Sequence, residues 1–183
     1  MFLGIISQVK QPREKSRQVI PTGLRILAIV LLILGIFFRF TNLDRKVYWH
    51  DETFTSLRIS GYTTTDVRQQ LFDGRVIHRE DLQKYQHPNS EKSLGDTMNS
   101  LIKEDPQHPP LYYAIAWAWV QIFGYSVATI RSLSAVISLL VFPSMYWLCW
   151  ELFGTSLVGW VAIALVAVSP FQLIYAQEAR EYI

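Results

Sequence analysis

Long stretches of this chain carry no charged residue, among them 26–38, 132–150 and 155–177. Uncharged apolar runs of about 18 residues or more mark helices able to cross a bilayer. The second and third runs have that length outright. The first reaches it by taking in Arg25 and Arg39 near its ends, where long stems let charged groups snorkel to the interface. Residues 23–40, 127–150 and 157–175 therefore predict three transmembrane helices. Arg131 falls near the start of the second, and Pro143 inside it, where a kink is tolerable. ELFGTS, at 151–156, reads as the turn between the second and third, with Gly154 as its C-cap.

The long polar interval between the first two spans has its own pattern. In DETFTSLRIS, Phe54, Leu57 and Ile59 give a short helix an apolar side. TTTDVRQQLF predicts a second helix, capped by Thr64 or Thr65 and lined by Val67, Leu71 and Phe72. Residues 73–107 read as loop with one helical turn near 98–103. After Pro109 and Pro110, which suit a helix start and not its interior, an apolar run continues to Gly124. That run, 111–124, makes about 21 Å of helix at roughly 1.5 Å per residue, short of the roughly 30 Å hydrocarbon core. Tyr112, Tyr113, Trp117 and Trp119 favour the membrane–water interface. The segment is expected to lie in that boundary and not to span it. The fold class expected is an all-α polytopic membrane protein with interfacial helices in a long first outer loop, 41–126.

Charge adds orientation. Lys10, Arg13, Lys15 and Arg17 precede the first span, so residues 1–22 are expected on the cytoplasmic side of the inner membrane. No small-residue cleavage site follows the first apolar run, which argues against a signal peptide. With three crossings, 41–126 and 176–183 share the outer side. The inner turn ELFGTS has no Lys or Arg, so the loop charges do not fix this independently. A net charge of +2 with no basic stripe gives no reason to expect a nucleic-acid partner. The single Cys149 cannot form an intrachain disulfide and suits packing inside an apolar run.

Four motifs then stand in order: WHDETFTS after the first span, HPPLYY before the aromatic helix, RSLSA, and SPFQLIYAQEAREY. Together they resemble the start of a GT-C membrane glycosyltransferase. The nearest group is glycosyltransferase family 39 with its relatives: dolichyl-phosphate-mannose-protein mannosyltransferases, RgtA/B/C/D-like transferases and aminoarabinose transferases. The resemblance covers 23–62 and 108–183 and leaves 63–107 unaligned. Such proteins continue through many more spans, so this chain is expected to be an N-terminal part. The resemblance implies a polyprenyl-phosphate-linked sugar donor, an acceptor glycan, lipid or protein, and transfer on the outer face of the membrane. It gives Asp51, with Glu52 beside it, the base or metal-binding role, and it leaves a divalent metal open as cofactor. His108, Arg131, Glu178 and Arg180 are the groups its later motifs offer to the donor phosphate or substrate.

The chemistry suits those residue types. An acceptor hydroxyl needs a base as it attacks the anomeric carbon, and a carboxylate can serve. A leaving lipid phosphate develops negative charge and needs cations. Plainer roles stand beside each residue. Asp51 and Glu52 can cap a helix, Arg131 can anchor a span at the interface, and 178–181 can be a solvated helix end. Two other classes remain: a small non-catalytic membrane protein, and a transporter subunit. The latter calls for ionisable groups deep in the spans or an inverted repeat, and neither pattern is present.

Overall fold

The computed structural model describes residues 20–88 and 91–182. The basic residues Lys10, Arg13, Lys15 and Arg17, on which the orientation rests, lie outside them. Every regular element among the described residues is an α-helix: α1 Thr22–Phe40, α2 His50–Ile59, α3 Thr64–Leu71, α4 Arg79–Gln83, α5 Leu94–Glu104, α6 Pro110–Phe123, α7 Val127–Ser138, α8 Val141–Phe153, α9 Ser156–Ala167 and α10 Pro170–Ala176. Two are long and apolar enough to cross a membrane: α1, and α7 with α8 as one run, Val127–Phe153. The pair α9–α10 makes a third if counted as one span, but it bends by 61°.

Two prolines shape these spans. Pro143 has no N–H for the Leu139 carbonyl, so the Phe142 amide takes that acceptor one residue early, at 3.2 Å. The helix tightens at 139–140 and continues. Pro170 likewise withholds a donor from Val166, whose carbonyl is met at 3.4 Å by Ser169 instead. There the chain turns sharply, so the straight third span expected over 157–175 is replaced by two helices. Gly154 ends α8 in the left-handed conformation, φ 70°, as expected of a helix-ending glycine.

α1 packs on α9 and α9 on α8, around Phe142, Ile163 and Ala167. The helices of the polar interval gather at one end of this bundle. α6 buries Tyr112, Tyr113, Ala116 and Val120 against Ile59 of α2, Leu101 of α5 and Ile130 and Leu133 of α7. Its other side keeps Leu111, Ile115 and Ile122 exposed.

The polar interval is more ordered than its sequence predicts. α5 spans eleven residues, not one turn. Its start is a reciprocal cap, with the Asp96 carboxylate accepting from Ser93 N and Ser93 Oγ, each at 2.8 Å. α3 is capped by Thr63, not by Thr64 or Thr65: Asp66 N donates to Thr63 Oγ1 at 3.0 Å and Thr63 N to Asp66 Oδ2 at 2.8 Å. Thr64 and Thr65 instead give their amides and hydroxyls to Glu104, at the end of α5. Burial alone would raise the Glu104 pKa. The Thr64 hydroxyl and amide, the Thr65 amide and Arg58 outweigh it and hold the pKa at about 2. The apolar residues of α2 also divide. Phe54 and Leu57 face Tyr62, Leu71 and Tyr85, while Ile59 joins the α5–α6–α7 core.

Candidate functional site

Asp51 and Glu52 are neighbours in the first turn of α2, so their side chains leave the helix about 100° apart. They enter different surroundings. Glu52 points inward and is 0% exposed. It accepts Arg131 Nε at 2.8 Å and Arg131 Nη2 at 2.7 Å, and Ala179 N at 2.9 Å. Arg131 is also 0% exposed, and its remaining donors go to the carbonyls of Leu43, Lys46 and Val47 at 2.6 to 3.0 Å. The pair ties α2 to α7, to the chain after α1 and to the chain after α10. Arg131 is neither a snorkelling anchor nor free for a phosphate: it reaches no solvent and its hydrogen-bond donors are engaged. Glu52 has no open side to offer a substrate.

Asp51 points outward, with 29% of its side chain exposed. Tyr182 Oη donates to its Oδ2 at 3.2 Å, Arg180 Nη2 lies 3.8 Å from the same oxygen, and His50 Nδ1 is 3.4 Å from Oδ1. Arg180 is nearly buried. Its Nη1 donates to Asp51 O and Thr55 Oγ1, both at 3.4 Å, and its Nη2 to Tyr182 Oη at 3.0 Å. Arg180 Nε is buried with no hydrogen-bond partner. Burial works against the Arg180 charge, but the Tyr182 hydroxyl and Glu181 outweigh it and hold its pKa above the ordinary value.

The polar line continues past Arg180. Its Nη2 lies 3.8 Å from Glu181, whose carboxylate also meets His108 Nδ1. Tyr113 Oη donates to Glu181 at 3.5 Å. Burial, then the Glu181 charge, raise the Tyr113 pKa, so the phenol keeps its proton as a donor. Glu178 turns elsewhere and holds Lys46 at 2.6 Å. Asp51, Arg180 and His108 thus share one polar line, while Glu52 with Arg131 and Glu178 with Lys46 form separate pairs. Tyr182 and Lys46 were not singled out from the sequence; Glu181 was weighed there only within the 178–181 helix end, and Tyr113 only as an interfacial aromatic. The adjacency of Glu181 and Tyr182 to Arg180 in EAREY was the available signal.

The described residues do not by themselves assemble a side-chain cage for a divalent ion. Hard cations take several oxygen ligands. No group of three or more His, Cys, Asp and Glu side chains suited to a metal occurs among the described residues. Asp51 already faces a guanidinium. Comparison with protein-family models, with curated proteins and with solved structures found no match.

Proposed function

We propose that the chain works as the N-terminal part of a GT-C-type membrane glycosyltransferase. It would transfer a sugar from a polyprenyl-phosphate donor to an acceptor hydroxyl on the outer face of the inner membrane. The observation that carries this reading is the accessible Asp51 carboxylate with the Arg180 guanidinium 3.8 Å from it. In the proposed step the acceptor oxygen bonds to the anomeric carbon while the bond from that carbon to the phosphate oxygen breaks. The electron pair leaves with the lipid phosphate, and the acceptor proton passes to Asp51. Arg180 receives the charge growing on the phosphate, as a preorganised cation does in a site screened from water. His108 acts one residue further along, by holding Glu181.

The membrane arrangement belongs to the same proposal. The N-terminus faces the cytoplasm, and the bent α9–α10 pair counts as the third crossing. α6 lies in the interface with its exposed Leu111, Ile115 and Ile122 toward lipid, so Asp51 and Arg180 meet on the outer side. The test is Asp51→Asn in membranes supplied with a polyprenyl-phosphate-linked mannose and a hydroxyl acceptor. Transfer is expected to fall about 10²–10⁴-fold, as for loss of a general base, at unchanged expression. A normally expressed variant that keeps more than about a tenth of the rate, far above that loss, overturns the assignment and leaves a non-catalytic membrane protein as the better reading.

A further inference from the structure

α1 and the bent α9–α10 pair cap one another. Arg39 stands in the last turn of α1, 0% exposed. Its Nη1 donates to the carbonyl of Ala167 at 3.2 Å and of Gly35 at 3.0 Å. Ala167 is the last residue of α9, so its carbonyl is among those a helix end leaves without an intrahelical donor. In return, Gln177 just past α10 gives its Nε2 to Phe38 O at 2.6 Å and Thr41 O at 3.1 Å, at the end of α1. Both helix C-termini carry negative partial charge, which the Arg39 guanidinium also complements. The backbones meet closely here: a Cβ on Gly35 would stand 2.3 Å from Ala167 O.

The residues after this joint are tethered one by one. Gln177 holds α1, Glu178 holds Lys46, Ala179 N holds Glu52, and Arg180 reaches Asp51 and Thr55. The direction in which α10 leaves the bend brings this segment within reach of those tethers, and so bears on where Arg180 lies. We infer that Arg39 is a positioning residue for the Asp51–Arg180 site: by capping α9 at the bend, it aims α10 and so places Arg180 beside Asp51. This rests on the reading of that site as the place of sugar transfer. Arg39 touches neither Asp51 nor Arg180. Its Nε and Nη2 have no hydrogen-bond partner, and its guanidinium carbon lies 4.7 Å from the Phe142 ring centre. The joint thus draws on a single nitrogen, and a lysine ammonium can supply the same donor.

The experiment reads position and transfer separately. In the full chain in nanodiscs, with Cys149→Ala as background, spin labels at Val47→Cys and Phe171→Cys report the distance from the chain after α1 to α10. Both positions are well exposed, at 81% and 73%. A narrow distribution is expected for the parent and a broadened or shifted one for Arg39→Met, with Arg39→Lys restoring the narrow form. Transfer from a polyprenyl-phosphate-linked mannose is expected to fall up to about 10²-fold in Arg39→Met, chiefly in kcat, as for displacement of a reacting group by about 1 Å, and to return with Arg39→Lys. An unchanged distribution in Arg39→Met overturns the inference whatever the activity. A broadened distribution rescued by lysine supports the joint, while transfer that stays at the parent rate in Arg39→Met overturns its link to the Asp51–Arg180 site. Should Arg39→Met fail to accumulate, Gly35→Ala displaces the capped carbonyl instead, since its methyl would stand 2.3 Å from Ala167 O, and a parent-like distribution there overturns the inference equally.

Discussion

Replacing Glu52 by Gln removes one charge and keeps the shape, at a residue with no exposed surface. The carboxylate takes two hydrogen bonds from Arg131, at 2.7 and 2.8 Å, and one from Ala179 N at 2.9 Å. A glutamine amide accepts through one oxygen, and its NH2 then faces another donor. The Arg131 charge is left inside the protein without its counter-charge. Removing one partner of a buried ion pair costs about 3–5 kcal/mol. Three backbone carbonyls also hold Arg131, and their dipoles offset part of that loss, so about 3 kcal/mol, the lower end of that range, is expected. Asp51→Asn, at a side chain 29% exposed, should cost less than about 1 kcal/mol. The double change Glu52→Leu with Arg131→Met removes both charges and should recover part of the loss. Recovery stays incomplete because the carbonyls of Leu43, Lys46 and Val47 lose their donor. Unfolding by sodium dodecyl sulfate in mixed micelles, followed by tryptophan fluorescence, measures each variant. If Glu52→Gln lies within about 1 kcal/mol of the parent, the pair is not the clamp that its burial indicates.

Gly35→Ala forces a methyl group into Ala167 O and should destabilise the chain by about 1–3 kcal/mol, as overpacking does. Gly23→Ala, with nothing within 4 Å of its would-be Cβ, should be near neutral in the same titration. Glu104, whose pKa is held down at about 2 against an ordinary 4.5, stabilises the α3–α5 contact fully above about pH 4.5, and this is lost as pH falls through about 2. Hydrogen exchange at the α3 amides should therefore accelerate over that window, and Glu104→Gln should remove the dependence. Acceleration at higher pH instead would assign it to another group.

The helices long and apolar enough to cross a membrane were legible because run length and absence of charge are local properties, and a helix in hydrocarbon must satisfy its backbone within itself. Gly154 and Pro110 were legible for the same local reason. The bend at Pro170 was not, because Pro143 sits in a similar run and is absorbed. Pro143 sits where Phe142 N can take the orphaned carbonyl. At Pro170 the chain turns, and Ala167 O finds its donor on α1, at Arg39, 128 residues away in sequence. The extent of α5 beyond the one turn expected near 98–103 was missed for a different reason: its Ser93–Asp96 cap was present in the sequence, but Gly95 beside it read as a loop residue.

The arginines mark where reading by pattern stops. Arg39 and Arg131 each look like a lone cation near the end of an apolar run, and a snorkelling side chain has the same sequence signature as a buried one. What separates the two is an acceptor elsewhere in the chain. For Arg131 it is Glu52, 79 residues away. One half of that pairing was open to inference. Adjacent acids on a helix cannot face the same way, and the residues stacked above Glu52 at the helical interval are Thr55, Ser56 and Ile59. All three are buried beside it, at 0–2% exposure. A stripe of small or apolar residues above Glu52 marks the inward side of α2, and an acid on that side needs a cation to enter the core. The lone arginine in a later apolar span was the available partner. Asp51 is then left as the outward acid by elimination, without appeal to any family.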